Sequence, residues 1–369
     1  MMLEEIQIEG FRSLKSVTWK PGKLNVLIGP NGGGKSNLLR VLDLLRISAS
    51  GGLKQAILRM GGMIPLLWDQ QAEQICFRLR GACLPETPQP ARPAHLEYQL
   101  ALQRVGNTGG YRIGMESFRD ADPGRERLSF NSFTETSLAS ASEASSEPQH
   151  ELRTALLSWC VYFDLRVDQD AELRHAAVTR LEKRVDADGQ NLVAVLHTLY
   201  TTDREFEEFI DSSMATAFPD DYEKLSFPPA EDGRVQLRLK RKHRKRADSA
   251  SDLSDGTLRF LLLLTILGSP DAGSLIAIDE PETGLHPRMM SIIAAAAANA
   301  ALKSQIIFTT HSPSFLDAFP ADDPPQTTVV TSNGSETQLK TISGEELKKW
   351  IEEYSLGKFA FSGEAEAVL

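Results

Sequence analysis

The sequence predicts an α/β fold in which a mixed β-sheet is flanked by helices. Three apolar stretches carry this prediction, because each has the length of a buried strand and is bounded by turn or polar residues. Leu24–Ile28 runs into a glycine-rich turn and a helical pattern, residues 275–280 end in two acids, and residues 306–310 are followed by His311. Strands of this kind, alternating with helical patterns, are typical of α/β proteins.

The stretch from Gly29 to Ser36 has the spacing of a phosphate-binding loop. Gly29 is followed after four residues by Gly34-Lys35-Ser36, with an apolar strand before it and a helical pattern after it. Glycines let backbone N–H groups point inward at phosphate oxygens, Lys35 supplies a positive charge, and the Ser36 hydroxyl is a ligand for Mg²⁺. The residues predicted to bind ATP in this region are Gly29, Asn31, Gly32, Gly33, Gly34, Lys35, Ser36 and Asn37.

Asp279 and Glu280 form the second half of the predicted site. Phosphate-loop enzymes hold Mg²⁺ with a carboxylate at the end of a buried strand, so Asp279 is assigned to the metal together with Ser36. Glu280, one residue further, is placed to deprotonate the attacking water. A large block of chain separates Lys35 from Asp279, whereas compact single-lobe ATPases keep these elements close.

Two further stretches favour a larger ATPase. Residues 253–257 read Leu-Ser-Asp-Gly-Thr and precede an apolar helical pattern, so Ser254 and Gly256 would form a second anion site at a helix N-terminus. The alternative is an ordinary serine N-cap. His311 follows a buried strand and is a candidate sensor of the γ-phosphate, although a lone histidine in that position is more often structural.

The order of these motifs resembles that of the ATP-binding-cassette heads of RecF and SMC type, and more closely that of stand-alone bacterial ATPases of the AAA_21 kind. The matching stretches are Gly-Phe-Arg-Ser-Leu at 10–14, Gly-Pro-Asn-Gly at 29–32, Leu-Ser-Asp-Gly-Thr-Leu-Arg-Phe at 253–260 and Thr-His-Ser-Pro at 310–313. In the first of them, Arg12 sits where the family places a basic residue near the nucleotide. The resemblance implies an ABC-type P-loop NTPase head in which a β/α lobe is inserted between the phosphate loop and the stretch at 253–257, which is called the signature in such heads.

The resemblance also implies a mechanism in which two heads sandwich two ATP molecules. Ser254 and Gly256 of one copy would contact the γ-phosphate held by the other copy, which makes an ATP-dependent homodimer the expected partner state. Glu280 would be the catalytic base and His311 the switch. The turn at 282–285 would cross the dimer interface.

Several features depart from the better-known members of that group. The signature has Asp255 and Thr257 where transporter cassettes have Gly and Gln, which argues against a transporter. Long coiled-coil arms, a zinc hook and a nuclease metal cluster are not evident. The glutamine that senses Mg²⁺ in such heads is not identified, with Gln74, Gln99 and Gln103 as candidates.

Composition and motif positions divide the chain into four predicted regions. They are an N-terminal half of the head at 1–60, an inserted lobe at 61–250, a C-terminal half at 251–320 and a C-terminal extension at 321–369. The segment 131–148, rich in Ser, Thr, Ala and Glu, is expected to be a flexible surface excursion. Further expected elements are helices at 173–181, 192–199 and 345–354, and strands at 235–239, 327–331 and 337–342.

Charge and cysteine content narrow the class of protein. The net charge of −10 argues against a wholly basic nucleic-acid coat protein. The N-terminus lacks the features of a signal peptide, and the apolar run at 258–267 is too short to cross a bilayer. The three cysteines have no metal-type spacing. A cytoplasmic protein without a membrane partner is expected.

The basic run at 238–246 is compatible with more than one kind of binding partner. It could contact the phosphate backbone of DNA, or it could be a solvated hairpin tip, which is the commoner role of such a run in an acidic protein. The first hypothesis is an ATP-hydrolysing dimeric switch in DNA repair or phage defence. The alternative is a regulatory, nucleotide-sensing module that holds a separately encoded protein effector.

Overall fold

The computed structural model describes residues 1–70, 72–83, 94–106, 109–120, 128–130, 134–142 and 147–342. The strands are β1 (Met2–Phe11), β2 (Leu14–Trp19), β3 (Leu24–Ile28), β4 (Gln74–Cys83), β5 (Ala94–Arg104), β6 (Tyr111–Asp120), β7 (Leu128–Phe130), β8 (Cys160–Tyr162), β9 (Ala177–Val178), β10 (Tyr222–Ser226), β11 (Pro229–Ala230), β12 (Arg234–Val235), β13 (Arg238–Arg241), β14 (Asp248–Ser249), β15 (Leu275–Asp279), β16 (Gln305–Thr310), β17 (Gln326–Ser332) and β18 (Thr337–Ile342). The helices are α1 (Lys35–Ala49), α2 (Leu53–Arg59), α3 (Glu147–Ser158), α4 (Leu192–Thr202), α5 (Arg204–Ala217), α6 (Asp255–Gly268), α7 (Pro287–Ala300) and α8 (Pro313–Leu316).

A central mixed sheet positions the predicted site. Its strand order is β18-β17-β3-β16-β15-β8, and all neighbours are parallel except the antiparallel pair β17 and β18. Strands of a sheet covered on both faces read as continuous apolar runs, which is why β3, β15 and β16 were recognisable in the sequence. In the register, Asp279 pairs with Thr309 and Ile28 pairs with Thr310. The phosphate loop, the two acids and His311 therefore leave the sheet at one edge.

The two faces of the central sheet pack against different layers. Val26 and Ile28 belong to a core shared with α4 to α7, whereas Leu27 belongs to a core shared with α1 and a second sheet. This second sheet is antiparallel and has the order β2-β1-β4-β5-β6-β7. The alternation along β3 is the period of two expected of a strand between two cores.

Helix α6 lies inside the first core. Phe260 to Leu264 are fully buried along the helix, so it is apolar on every side, as is typical of a helix enclosed by its neighbours. This enclosure holds the N-terminal end of α6, where the signature residues lie. None of the helices in the described part of the chain has the length and apolarity that a bilayer-spanning segment requires.

Two sheets combine strands from different predicted regions. Strand β17, from the predicted C-terminal extension at 321–369, lies beside β3 in the central sheet, and β4, beyond the predicted boundary at 61, pairs with β1. Each boundary thus divides one sheet. Pairing between strands far apart in sequence leaves no local signal, so composition could not reveal it.

Several predicted elements also differ. Residues 173–181 form a short 3-10 turn and strand β9 rather than a helix, because Ala177 and Val178 pair with β12. The segment 131–148 is not purely a surface excursion, since Leu138 is fully buried on a 3-10 turn and α3 begins at Glu147. Residues 235–239 belong to two short strands, β12 and β13. The predicted helix at 345–354 lies outside the described residues.

Candidate nucleotide-binding site

The phosphate loop closes around its own lysine. Gly34, with a φ of 108°, caps α1 at the N-terminus, and the left-handed backbone there suits glycine. Lys35 is only 5% exposed, and its Nζ donates to the carbonyl oxygens of Gly29 at 2.6 Å and Pro30 at 3.0 Å. Burial lowers the pKa of Lys35, an effect opposed by the nearby carboxylates of Glu280, Asp279 and Glu282. The ammonium is thus held inside the loop.

Strands β17 and β18 brace this loop from outside. A Cβ atom on Gly29 would lie 1.9 Å from the Val330 carbonyl oxygen, so only glycine fits there. The Thr337 hydroxyl donates to the Gly33 carbonyl oxygen at 2.9 Å and lies 2.8 Å from Ser13 Oγ. Thr337 was missed by sequence reasoning, because it reaches the loop from the far end of the chain.

The first acid meets the loop serine. Ser36 Oγ donates to Asp279 Oδ2 at 3.0 Å, and the Thr309 hydroxyl donates to the same carboxylate. Both Asp279 and Thr309 lie at the carboxyl end of their strands. A hydroxyl and a carboxylate oxygen side by side are the kind of donors that Mg²⁺ prefers.

The second acid is paired with the histidine. His311 Nδ1 lies 2.9 Å from Glu280 Oε1, and the two side chains are 45% and 36% exposed. Glu280 has a φ of 47°, and its N–H donates to the Thr309 carbonyl oxygen at 3.0 Å. A positive φ is uncommon outside glycine, so the turn that presents this carboxylate is set by its surroundings. The structure thus brings together Lys35, Ser36, Asp279, Glu280 and His311.

Arg259 contacts the backbone of Glu280, and Glu282 lies two residues further along the same turn. Arg259 Nη2 donates to the Glu280 carbonyl oxygen at 3.0 Å, and Nη1 to the Leu165 carbonyl oxygen at 3.3 Å. Glu282 is 6% exposed and accepts a hydrogen bond from the Thr310 hydroxyl at 2.5 Å. Burial lowers the pKa of Arg259 and raises that of Glu282. These two residues lay within quoted motifs, but nothing in the sequence showed that they face inward.

The signature residues lie at the start of α6. Ser254 is exposed and is the N-cap, where its Oγ accepts from the Thr257 N–H at 3.3 Å. A Cβ atom on Gly256 would lie 2.7 Å from the Gly284 carbonyl oxygen, so glycine is required by the close approach of the 282–285 turn. In that turn Thr283 and Gly284 are exposed, whereas Glu282 and Leu285 are buried.

Arg12 lies beside the first turn of α1. Its N–H donates to the Leu66 carbonyl oxygen at 2.8 Å, and Nη1 donates to Asn37 Oδ1 at 3.4 Å. Burial lowers the pKa of Arg12, and the neighbouring Arg40 acts in the same direction. The structure therefore places Arg12 and Asn37 together at the rim of the phosphate loop, while Asn31 and Gly32 are exposed on the loop itself.

The three glutamine candidates do not lie at this edge. Gln74, Gln99 and Gln103 all belong to the antiparallel sheet, on β4 and β5. The strand next to β15 is β8, and the chain continues from it with Phe163 and Asp164. Strand β8 has only three residues, which is too short for the sequence to have revealed it.

Part of the basic run is bonded to acidic side chains that lie outside it and to its own backbone. Arg241 Nε donates to Asp248 at 2.5 Å and the same side chain also pairs with Asp221, while Arg244 bonds to Asp248 at 3.1 Å. Lys240 Nζ donates to the Arg244 carbonyl oxygen at 2.6 Å. These contacts favour the interpretation of the run as a structural hairpin.

The family of the chain follows from comparison with known sequences. Residues 128–317, just over half of the chain, match the AAA_21 family, described as "AAA domain, putative AbiEii toxin, Type IV TA system". The chain belongs to the AAA_21 family. This AAA_21 protein also matches the AAA_15 family, described as "AAA ATPase domain", over residues 1–52, which contain the phosphate loop.

Two curated proteins share short stretches with this AAA_21 protein. It is 42% identical over 85 residues to the DNA replication and repair protein RecF of Moorella thermoacetica, covering 22% of this chain and 20% of that protein. It is 41% identical over 44 residues to the OLD nuclease of Thermus scotoductus, covering 12% of this chain and 8% of that protein. The chain thus spans only a small part of either relative.

Solved structures confirm the predicted fold. The AAA_21 protein is similar to an SMC head bound to the C-terminal winged-helix domain of ScpA, with a TM-score of 0.59, 14% identity, and coverage of 95% of this chain and 100% of that chain. A second SMC head, with an extended coiled coil and bound to the C-terminal domain of ScpA derived from Pyrococcus furiosus, gives a TM-score of 0.59, 14% identity and coverage of 95% and 99%. Family and fold together support a P-loop ATPase with an ABC-type head fold.

Proposed function

We propose that this AAA_21 protein hydrolyses ATP and works as a switch in which ATP joins two copies of the chain. One observation carries the proposal. The phosphate loop, Asp279, Glu280 and His311 meet at one sheet edge, while Ser254 is exposed and hydrogen-bonds within its own helix. A second copy can therefore approach Ser254 and Gly256 with the triphosphate that it holds.

Each side chain has a defined task in the proposed hydrolysis. Lys35 neutralises charge on the terminal phosphates, and the backbone N–H groups of the loop bind phosphate oxygens. The donor set fits Mg²⁺, which Ser36 and Asp279 would hold and which would supply further positive charge at the phosphates. Glu280 accepts the proton of the attacking water, and His311 holds the Glu280 carboxylate in position at 2.9 Å. The products are ADP and inorganic phosphate.

The proposal predicts that activity depends on protein concentration. If two copies build each site, turnover per chain should rise by about tenfold over about a 100-fold range of protein concentration, as mass action requires. Steady-state phosphate release measures this rise. As a control, Ser254→Arg puts a bulky charge on the exposed N-cap and should keep ATP affinity while losing the rise. Turnover per chain that stays constant at every concentration would contradict the dimeric site.

The role that we propose for the switch is in DNA repair or phage defence, with a protein effector as the more favoured partner. This preference rests on the basic run, whose arginines Arg241 and Arg244 are already bonded to Asp221 and Asp248. Arginines that are already paired with carboxylates release few counterions from DNA, so Arg241 and Arg244 would contribute little affinity.

Neutralising the exposed end of the run should therefore leave activity unchanged. The double substitution Lys245→Gln and Arg246→Gln removes two exposed charges and spares Arg241, which holds the hairpin together. Phosphate release by both proteins should be equal with and without linear duplex DNA, at low and at high salt. Stimulation by DNA that fades with salt and with the double substitution would instead show that the run binds DNA.

A further inference from the structure

The signature segment is tied down by a single buried arginine. Arg174 lies on a 3-10 turn between β8 and β9, and its side chain is only 5% exposed. Its Nη1 donates to the Leu253 carbonyl oxygen at 2.7 Å, directly before Ser254. Its Nη2 donates to the Val167 carbonyl oxygen at 2.7 Å, and Nε donates to the Asp168 carbonyl oxygen at 2.8 Å. One planar fork thus joins the loop after β8 to Leu253, which precedes the N-cap residue of α6.

The same guanidinium also forms an ion pair with an acidic residue of the signature, Asp255. Nη2 of Arg174 also bonds to the carboxylate of Asp255, whose side chain is 67% exposed. A buried charge is costly unless it is paired and hydrogen-bonded, and here Asp255 and the backbone carbonyls meet both needs. Arginine suits this position because its donors are fixed in one plane, whereas a lysine ammonium could not reach all of the acceptors together.

We propose that Arg174 is the positioning residue of the signature, which sets Ser254 and Gly256 for the triphosphate of a second copy and cancels the charge of Asp255. The inference rests on the proposed function. It also accounts for the departure of this signature from that of transporter cassettes, which have Gly where this chain has Asp255. A free carboxylate at the first residue of α6 would repel an incoming γ-phosphate. Its pairing with Arg174 keeps the helix N-terminus attractive to anions.

Substitution of Arg174 by methionine tests the inference. Arg174→Met should leave ATP affinity unchanged, because the phosphate loop of the variant is intact. It should lower turnover by at least about 30-fold, because a small displacement of a binding group lowers a reaction rate by a factor of this order. Arg180→Met is the matched control, because the Arg180 side chain lies in the same segment and is 70% exposed. This control should match the wild-type protein in ATP affinity and turnover.

Mixing of two inactive variants distinguishes a positioning role of Arg174 from a general loss of folding in Arg174→Met. Arg174→Met keeps its phosphate loop and Glu280, whereas Glu280→Gln keeps its signature, so a mixed dimer contains one intact site. Equimolar mixing should restore turnover to about a quarter of the wild-type value, because half of the dimers are mixed and each has one intact site of two. An unfolded protein could not complement in this way. If the folded Arg174→Met protein binds ATP and the mixture stays inactive, the inference is wrong.

Two further measurements keep the test decisive. Amide hydrogen exchange at 250–257 should be faster in Arg174→Met than in Arg180→Met, whereas exchange in the phosphate loop should be equal. This comparison holds even if the wild-type protein hydrolyses no ATP, a result that would overturn the proposed function alone. Asp255→Asn, which removes only the exposed partner, should fold and should lower turnover less than Arg174→Met. Wild-type exchange at 250–257 in Arg174→Met, or wild-type turnover in both variants, would overturn the inference.

Discussion

Glu280→Gln is expected to lower ATP turnover by at least about 100-fold while ATP stays bound, since a positioned general base contributes about 10² to 10⁴ to such rates. Glutamine keeps the shape of the side chain and can still contact His311, which lies 2.9 Å from Glu280 Oε1. It cannot accept the proton of the attacking water. The loss should therefore fall on the chemical step, and ATP affinity should remain that of the wild-type protein.

The measurement is single-turnover phosphate release combined with nucleotide binding. Glu208→Gln is the matched control, because it makes the same chemical change on a side chain of α5 that is 65% exposed. The control should turn over ATP at the wild-type rate. If Glu280→Gln does the same, another residue takes the proton and the assignment of Glu280 is wrong.

Lys35→Ala is expected to weaken ATP binding by about 30- to 100-fold, which corresponds to about 2–3 kcal/mol for hydrogen bonds to a charged group. Lys35 is 5% exposed and already lies inside the loop, bonded to the Gly29 and Pro30 carbonyl oxygens. The triphosphate would draw the ammonium away from these two acceptors. Alanine provides neither the charge nor the reach.

Equilibrium titration with ATP and Mg²⁺ measures this change. The control is Lys303→Ala, which removes an exposed lysine that follows α7. Thermal unfolding of both variants shows whether the loop still folds without its lysine. An ATP dissociation constant for Lys35→Ala that equals the wild-type value would show that Lys35 does not contribute to ATP binding.

The parts of the site that could be predicted from sequence are those with short-range patterns. The glycine spacing before Lys35, the two acids at the end of an apolar strand and the Thr-His pair at 310–311 each need only a few consecutive residues. Each pattern predicts both the secondary-structure element and the chemical role of its residues. The structure places these motifs together because their strands are parallel neighbours in one sheet.

The parts that were missed depend on contacts between distant segments. Thr337 reaches Gly33, Arg174 reaches Leu253, and Arg259 reaches the Glu280 carbonyl oxygen, all across long stretches of chain. A single threonine or arginine carries no periodic signal, so its partner cannot be read from its neighbours. The same reason explains why the sequence did not show that β17 joins the sheet beside β3.

The most direct test of the central claim is the mass of Glu280→Gln in solution with and without ATP and Mg²⁺, measured by light scattering. Without nucleotide the protein should have the mass of one chain, and with ATP and Mg²⁺ it should have twice the chain mass of 40.7 kDa. Adding Ser254→Arg to Glu280→Gln should return the mass to that of one chain, because the signature then blocks the second copy. A mass of one chain for Glu280→Gln at saturating ATP would contradict the account.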